Sequence, residues 1–318
     1  MYILVSPFSK TFDDKWFIYS VPKKQENSIK IGQMVLIPIK SSLEIAVIIA
    51  KQVDIKNQDY SKNKIKKIIN IIYKNIFLSE YQVSLLKFIA ENYFTPIHNA
   101  ARLFFPKNLR DKIKKEKLKC FDLDYNINYT FNFKNKLTEL QDKVFEDIKK
   151  EKKRNILLYG ITWSWKTEIY IKLIKYYLEK WKQSLFLIPE IILSNEIWDR
   201  IKKVFWKEVL VINSDITEAT KTKYWCKIRS WQAKIILWTR SSLFYPYFNL
   251  WFIIVDEEHD NSYKSDLSPR YNIIELVNKI SELKNIKVLF ASWTPSIKSM
   301  YLWLKWKYKV LNLLEKYK

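Results

Sequence analysis

Across residues 137–318, short apolar runs alternate with stretches of helical spacing. NILLY (155–159), SLFLIP (184–189), VLVIN (209–213), KIILW (234–238), FIIVD (252–256) and KVLFAS (287–292) read as strands. Helical patterns occupy the intervals near 166–180, 194–205 and 271–283. Such alternation of strand and helix predicts an α/β fold: a parallel sheet covered by helices on both faces, with ligands expected at the carboxyl ends of the strands.

The front of the chain has another texture. Residues 1–75 carry short apolar strands such as IKIGQMVLIPI and LEIAVIIAKQV, with Gly32 and Pro38 as punctuation, and predict a small β-rich domain. From Ser79, a candidate N-cap, Val83, Leu86, Phe88, Ile89 and Tyr93 lie near one helical face until Pro96, and a second helix is expected over 97–105 before Pro106. Residues 76–106 therefore suit a winged-helix module, although a simple helical hairpin fits the pattern equally well. The Lys- and Asn-rich stretch 107–136 reads as a linker, and its densest basic run, 107–119, as solvated rather than as a DNA contact.

The length of 318 residues fits two or three domains, and 48% hydrophobic with 28% charged residues excludes a disordered or collagen-like chain. Two distant cysteines, Cys120 and Cys226, cannot build a disulfide framework or a four-thiolate zinc site, which suits a reducing, cytoplasmic setting. No leader-like start or apolar run of membrane-spanning length is present, so neither export nor a membrane partner is expected. The formal charge of +23 has two readings: a polyanionic partner such as DNA, or the Lys, Ile and Asn bias of an AT-rich genome.

One count is abnormal. Ordinary glycine usage predicts about 22 glycines in a chain of this length; there are 2, beside 13 tryptophans. Trp181 and Trp206 follow helices and precede strands, where a left-handed C′ glycine normally sits, and Trp163, Trp231, Trp238, Trp251 and Trp293 fall at strand ends or tight loops. These are places for the smallest residue. We expect most of these tryptophans to be glycines encoded by UGA, while Trp198 and Trp225, inside helical stretches, are set apart as genuine. The alternative is real tryptophans in an inactive nucleotide fold.

After the first strand of the α/β region comes Gly160-Ile161-Thr162-Trp163-Ser164-Trp165-Lys166-Thr167, then a helix. A phosphate loop is written G-x-x-x-x-G-K-S/T, and all but its second glycine is present. Its chemistry needs backbone N–H groups around the phosphates, a Lys for the β and γ oxygens and a hydroxyl for Mg²⁺. Lys166 and Thr167 are in place, but an indole at 165 would fill the cradle; with glycine at 163 and 165 the loop reads GITGSGKT. Strand FIIVD ends in Asp256-Glu257-Glu258-His259, which gives Asp256 a metal role and Glu257 that of general base, with His259 linking the nucleotide site to DNA contacts.

These strings, with LIPEI (187–191), WTRSSLFYPYFNLWFIIVDEEHDNSYKSD (238–266) and ASWTPS (291–296), resemble the primosomal N′ (PriA) family of replication-restart helicases, superfamily 2. The likeness runs from about residue 138 to the end. It extends more weakly forward, where FIYSVP and IGQMVLIP resemble a domain that binds the 3′ end of DNA. The resemblance implies a RecA-like motor lobe using ATP and Mg²⁺, 3′-to-5′ movement on forked or single-stranded DNA, and partners among replicative helicase-loading proteins. By position it implies adenine reading by Gln141, DNA contact by Thr239 and Arg240, and coupling of hydrolysis to DNA by Ser292 and Thr294. Gln141 could equally be an ordinary helix-start residue.

The family continues into a second lobe with an arginine finger and a cysteine-rich zinc module, neither of which this sequence contains. It is expected to bind nucleotide and DNA but to hydrolyse ATP poorly alone, and the zinc ligands are absent. Two other readings remain: a non-enzymatic DNA-binding scaffold with an inactive phosphate loop, or the motor lobe of another superfamily 2 translocase.

Overall fold

The computed structural model describes residues 1–8, 17–54, 65–115, 137–160, 166–189, 195–205, 209–212, 216–238 and 240–314. The chain divides into two compact units, one formed by residues 1–121 and 266–271, the other by 122–265 and 272–318. Among the described residues no helix is long and apolar enough to cross a membrane.

The first unit is an antiparallel sheet of β1 (Tyr2–Pro7), β2 (Phe17–Ser20), β3 (Gln33–Ile39), β4 (Ser42–Lys51) and β5 (Asn70–Ile76), in the order β2-β1-β4-β3-β5. Residues Ile3, Val5, Val35, Ile37, Ala46 and Ile48 fill its core on one face, and Ile45, Val47 and Ile49 are buried as well, so the central strand β4 is covered on both faces. Gly32 leads into β3 with φ 82°, and a Cβ there would lie 1.8 Å from the Leu78 carbonyl oxygen, so only glycine fits.

Three helices follow: α1 (Glu80–Asn92), α2 (Ile97–Leu103) and α3 (Lys107–Lys114). The Ser79 N–H donates to Gln82 Oε1 at 3.1 Å, closing a capping box at the start of α1. The stretch read as a solvated linker thus opens with a helix. Leu109 and Ile113, four apart among lysines, are both fully buried, and one apolar stripe is enough to dock a helix. Residues 116–136 lie outside the described residues.

The second unit is built as the alternation predicts. It runs α4 (Glu139–Lys150), β6 (Asn155–Gly160), α5 (Lys166–Glu179), β7 (Gln183–Leu187), α6 (Asn195–Phe205), β8 (Val209–Ile212), α7 (Glu218–Arg229), β9 (Ile235–Trp238), β10 (Leu250–Val255), α8 (Ile273–Lys284), β11 (Lys287–Ser292), α9 (Ile297–Leu304) and β12 (Tyr308–Leu313). The strands form one sheet in the order β12-β6-β11-β10-β7-β9-β8, each pair parallel. Leu158, Phe186, Ile254 and Leu289, all fully buried, lie in its central core.

Three tryptophans lie in helix-to-strand turns with a left-handed backbone. Trp181 (α5 to β7), Trp231 (α7 to β9) and Trp306 (α9 to β12) have φ of 62°, 66° and 56°, and Asn285 occupies the α8-to-β11 turn with φ 54°. At two of these turns the hydrogen bonds are those of a Schellman motif. Lys182 N–H donates to Tyr177 O at 3.0 Å and Trp181 N–H to Leu178 O at 3.0 Å; Lys307 N–H donates to Leu302 O at 2.9 Å and Trp306 N–H to Trp303 O at 2.8 Å. Trp181 and Trp306 are thus C′ residues, the position taken mostly by Gly and sometimes by Asn.

The other tryptophans differ. Trp251 and Trp293 have no left-handed backbone and lie 40% and 49% exposed, whereas Trp225 is buried inside α7. Trp163, Trp165 and Trp206 lie outside the described residues. Trp306 escaped the sequence reading.

Candidate functional site

The carboxyl ends of β6, β10 and β11 gather most of the expected chemistry. β6 ends at Gly160, and α5 begins at Lys166 after the phosphate-loop residues 161–165, which lie outside the described residues together with their Thr162, Trp163, Ser164 and Trp165. The Lys166 ammonium reaches Glu257 Oε1 at 3.1 Å, joining residues 91 positions apart, with both side chains largely buried. Thr167 follows on the first turn of α5.

Asp256 comes directly after β10, its amide held by Leu187 O at 3.0 Å and its Oδ1 accepting the Tyr170 hydroxyl at 2.8 Å. Burial pushes the Asp256 carboxyl upward, and Lys166 opposes that shift. Tyr263 donates to the Asp256 carbonyl oxygen at 2.6 Å, fixing the end of the strand.

Glu257 has φ 43°, a left-handed conformation that costs an ordinary side chain roughly 1–2 kcal/mol. Its Oε1 takes Lys166. Its buried Oε2 has no hydrogen-bond partner among the described residues and lies 3.6 Å from His259 Nδ1. A buried carboxylate oxygen left open in this way can accept a proton or hydrogen bond from a water placed beside it.

His259 meets the end of β11 and the residues just after it. Its Nδ1 is 2.7 Å from Ser292 Oγ and its Nε2 3.3 Å from Thr294 Oγ1, while Thr294 N–H donates to the same Ser292 oxygen at 3.0 Å. His259, Ser292 and Thr294 are therefore one hydrogen-bonded group.

Other expected residues fall elsewhere. Gln141 Oε1 accepts the Thr138 N–H at 3.0 Å and Gln141 N–H donates to Thr138 Oγ1 at 3.2 Å, so it closes the capping box of α4. Arg240 donates to the Lys264 carbonyl oxygen, and Thr239 lies outside the described residues. Among the described residues no group of three or more His, Cys, Asp or Glu is placed to hold a metal on its own, so Mg²⁺ would need the phosphates as well as Thr167 and Asp256.

Sequence reasoning missed Tyr170, although its position four residues after Lys166 puts both on one face of α5. It also missed Glu168, buried and paired with Arg200 of α6 at 2.5 Å, and the contact of Glu258 with Ser296, for which no local signal exists.

Comparison with known proteins finds two families and a set of curated relatives. The DEAD/DEAH box helicase family matches residues 138–301, and a 3′ DNA-binding domain family matches residues 6–106. The replication restart protein PriA of Rickettsia conorii is 32% identical over 303 residues, 94% of this chain and 44% of that protein. The Helicobacter pylori (strain J99) protein of the same name is 37% identical over 223 residues, 70% of this chain and 34% of that protein. The chain thus spans less than half the length of these curated relatives. Among solved structures, a DEAD box protein from Methanococcus jannaschii is similar with a TM-score of 0.42 at 20% identity, covering 55% of this chain and 49% of that one. On the family match that spans the strands, Lys166 and the Asp256–His259 box, the chain belongs to the DEAD/DEAH box helicases, with replication restart proteins as its curated relatives.

Proposed function

We propose that this chain is the nucleotide- and DNA-binding front of an ATP-driven 3′-to-5′ DNA helicase that acts in replication restart at forked or single-stranded DNA. In this reading positions 163 and 165 are glycines, and loading of the replicative helicase proceeds through partner proteins.

The observation that carries the reading is the meeting of Lys166 with Glu257 beside Asp256 at the strand ends. A cation paired with a carboxylate can exchange it for the β and γ phosphates. Mg²⁺, held by the Thr167 hydroxyl and the Asp256 carboxylate, would neutralise phosphate charge there. Once Lys166 turns to phosphate, Glu257 is released to orient and deprotonate the attacking water. His259 passes the change to Ser292 and Thr294, the pair expected to answer to DNA.

Glycine at 163 and 165 draws support from Trp181 and Trp306, whose C′ positions in Schellman motifs are glycine positions. The front unit's match to a 3′ DNA-binding domain supports capture of a DNA 3′ end.

The test is Mg–ATP binding by the chain translated with its native code. We expect binding that Lys166→Ala weakens by roughly 10–100-fold, the loss of one charge-assisted contact of about 1.5–3 kcal/mol. Equal binding by both proteins refutes the motor reading.

A further inference from the structure

Glu258 sits between the proposed general base and the His259 relay, yet neither role needs it. Its side chain is buried, 3% exposed, and both carboxylate oxygens are used on one residue: Oε1 accepts the Ser296 amide at 2.6 Å and Oε2 the Ser296 hydroxyl at 3.0 Å. The Glu258 amide donates to Ala291 O at 3.0 Å, which fixes it across the end of β11.

Ser296 is the N-cap of α9 and accepts the Ser299 amide at 3.2 Å, so the helix has its cap without Glu258. A buried carboxylate is costly to desolvate, and capping alone does not explain it.

We infer that Glu258 is a positioning residue that couples the nucleotide state to α9 through its double hydrogen bond to Ser296. The inference rests on the proposed nucleotide site. Glu257 holds a left-handed backbone while Lys166 is paired with it. Phosphate taking Lys166 removes that tie, and the backbone relaxes toward an ordinary conformation. The Glu257–Glu258 peptide then shifts against its bond to Ala291 O, and the Glu258 side chain carries Ser296 with it. This tie runs beside that of His259 to Ser292 and Thr294, but it ends on a helix instead of a loop. The helix exposes a largely apolar face, with Ile297 90%, Tyr301 54% and Leu304 65% exposed, so the nucleotide state would set where that face points.

The experiment follows hydrogen exchange of the α9 amides with and without Mg–ATP, in the full chain carrying Trp163→Gly and Trp165→Gly. Nucleotide affinity is measured in parallel. Bound nucleotide is expected to change α9 exchange by about fivefold or more, the lower end of coupling between linked sites. Glu258→Ala should abolish that response while Mg–ATP still binds. Glu258→Gln should keep it, because an amide still accepts from the Ser296 amide and donates to its hydroxyl. Ser296→Ala, which loses one of the two bonds, should weaken it, and it serves if Glu258→Ala fails to fold. An α9 that ignores bound nucleotide, or that responds equally in Glu258→Ala, overturns the inference. Nucleotide binding that is absent, or insensitive to Lys166→Ala, overturns instead the motor reading beneath it.

Discussion

Trp306 offers the cleanest way to weigh a left-handed tryptophan. It is 82% exposed with φ 56°, so little burial opposes its removal. Its clearest contact is Lys153 Nζ at 5.2 Å from the ring centroid, worth about 0.5–1 kcal/mol at an exposed site. Trp306→Gly and Trp306→Ala both lose that contact, so their difference isolates the backbone. A Cβ in the left-handed region costs roughly 1–2 kcal/mol, and the greater freedom of unfolded glycine takes back about 0.5–1. Glycine should therefore be more stable than alanine at 306 by about 1 kcal/mol. Tyr301, 54% exposed in the middle of α9, is the control, and there glycine should be less stable than alanine by about 1 kcal/mol. Urea unfolding of the four variants, read by far-UV circular dichroism, gives both differences. Alanine matching or beating glycine at 306 refutes the assignment of a glycine position, whatever happens at 301.

Other variants probe other parts of the account. Asp256→Asn should raise the unfolding midpoint of the nucleotide-free chain at neutral pH while abolishing Mg²⁺-dependent ATP binding, because burial disfavours the carboxylate that the metal needs. The native carboxyl titrates above its unfolded value, so its charge opposes folding at neutral pH and that penalty fades as pH falls through the raised value. Mg–ATP affinity should weaken over the same descent, starting at a higher pH than an ordinary carboxylate would give; a midpoint lowered by Asp256→Asn contradicts this. Gly32→Ala puts a Cβ 1.8 Å from the Leu78 carbonyl oxygen and should cost about 3 kcal/mol or more, seen as early melting. Affinity for single-stranded DNA should fall on a log–log plot against salt with a slope near −0.7 per phosphate contacted, and a flat line would remove the ionic account of the +23 charge.

The motor unit was legible because a parallel sheet covered on both faces writes its strands as unbroken apolar runs; FIIVD and KVLFAS could hardly be anything else. The elements at its end were not. α9, IKSMYLWL, is apolar almost all round and shows no clear face, and β12 is an edge strand with Lys309 and Asn312 on it. α3 hid for the opposite reason: two buried residues among lysines leave a faint stripe.

Lys166, Asp256 and Glu257 could be expected at one place from the sequence because each follows an apolar strand, and the structure brings Lys166 to 3.1 Å from Glu257 beside Asp256. Glu258–Ser296 depends on which strands become neighbours and Glu168–Arg200 on α5 packing beside α6, and no local spacing encodes either. Gln141 shows the reverse: a motif position whose side chain closes a helix cap. The glycine deficit was visible as a count, but its meaning became structural only when Trp181 and Trp306 proved to be left-handed C′ residues.

The most direct measurement is equilibrium binding of Mg–ATP to two versions of the chain, one with tryptophan at 163 and 165 and one carrying Trp163→Gly and Trp165→Gly. The account predicts binding by the glycine version, weakened roughly 10–100-fold when Lys166→Ala is added, and none by the tryptophan version. Equal affinity in the two, or none in the glycine version, would contradict it.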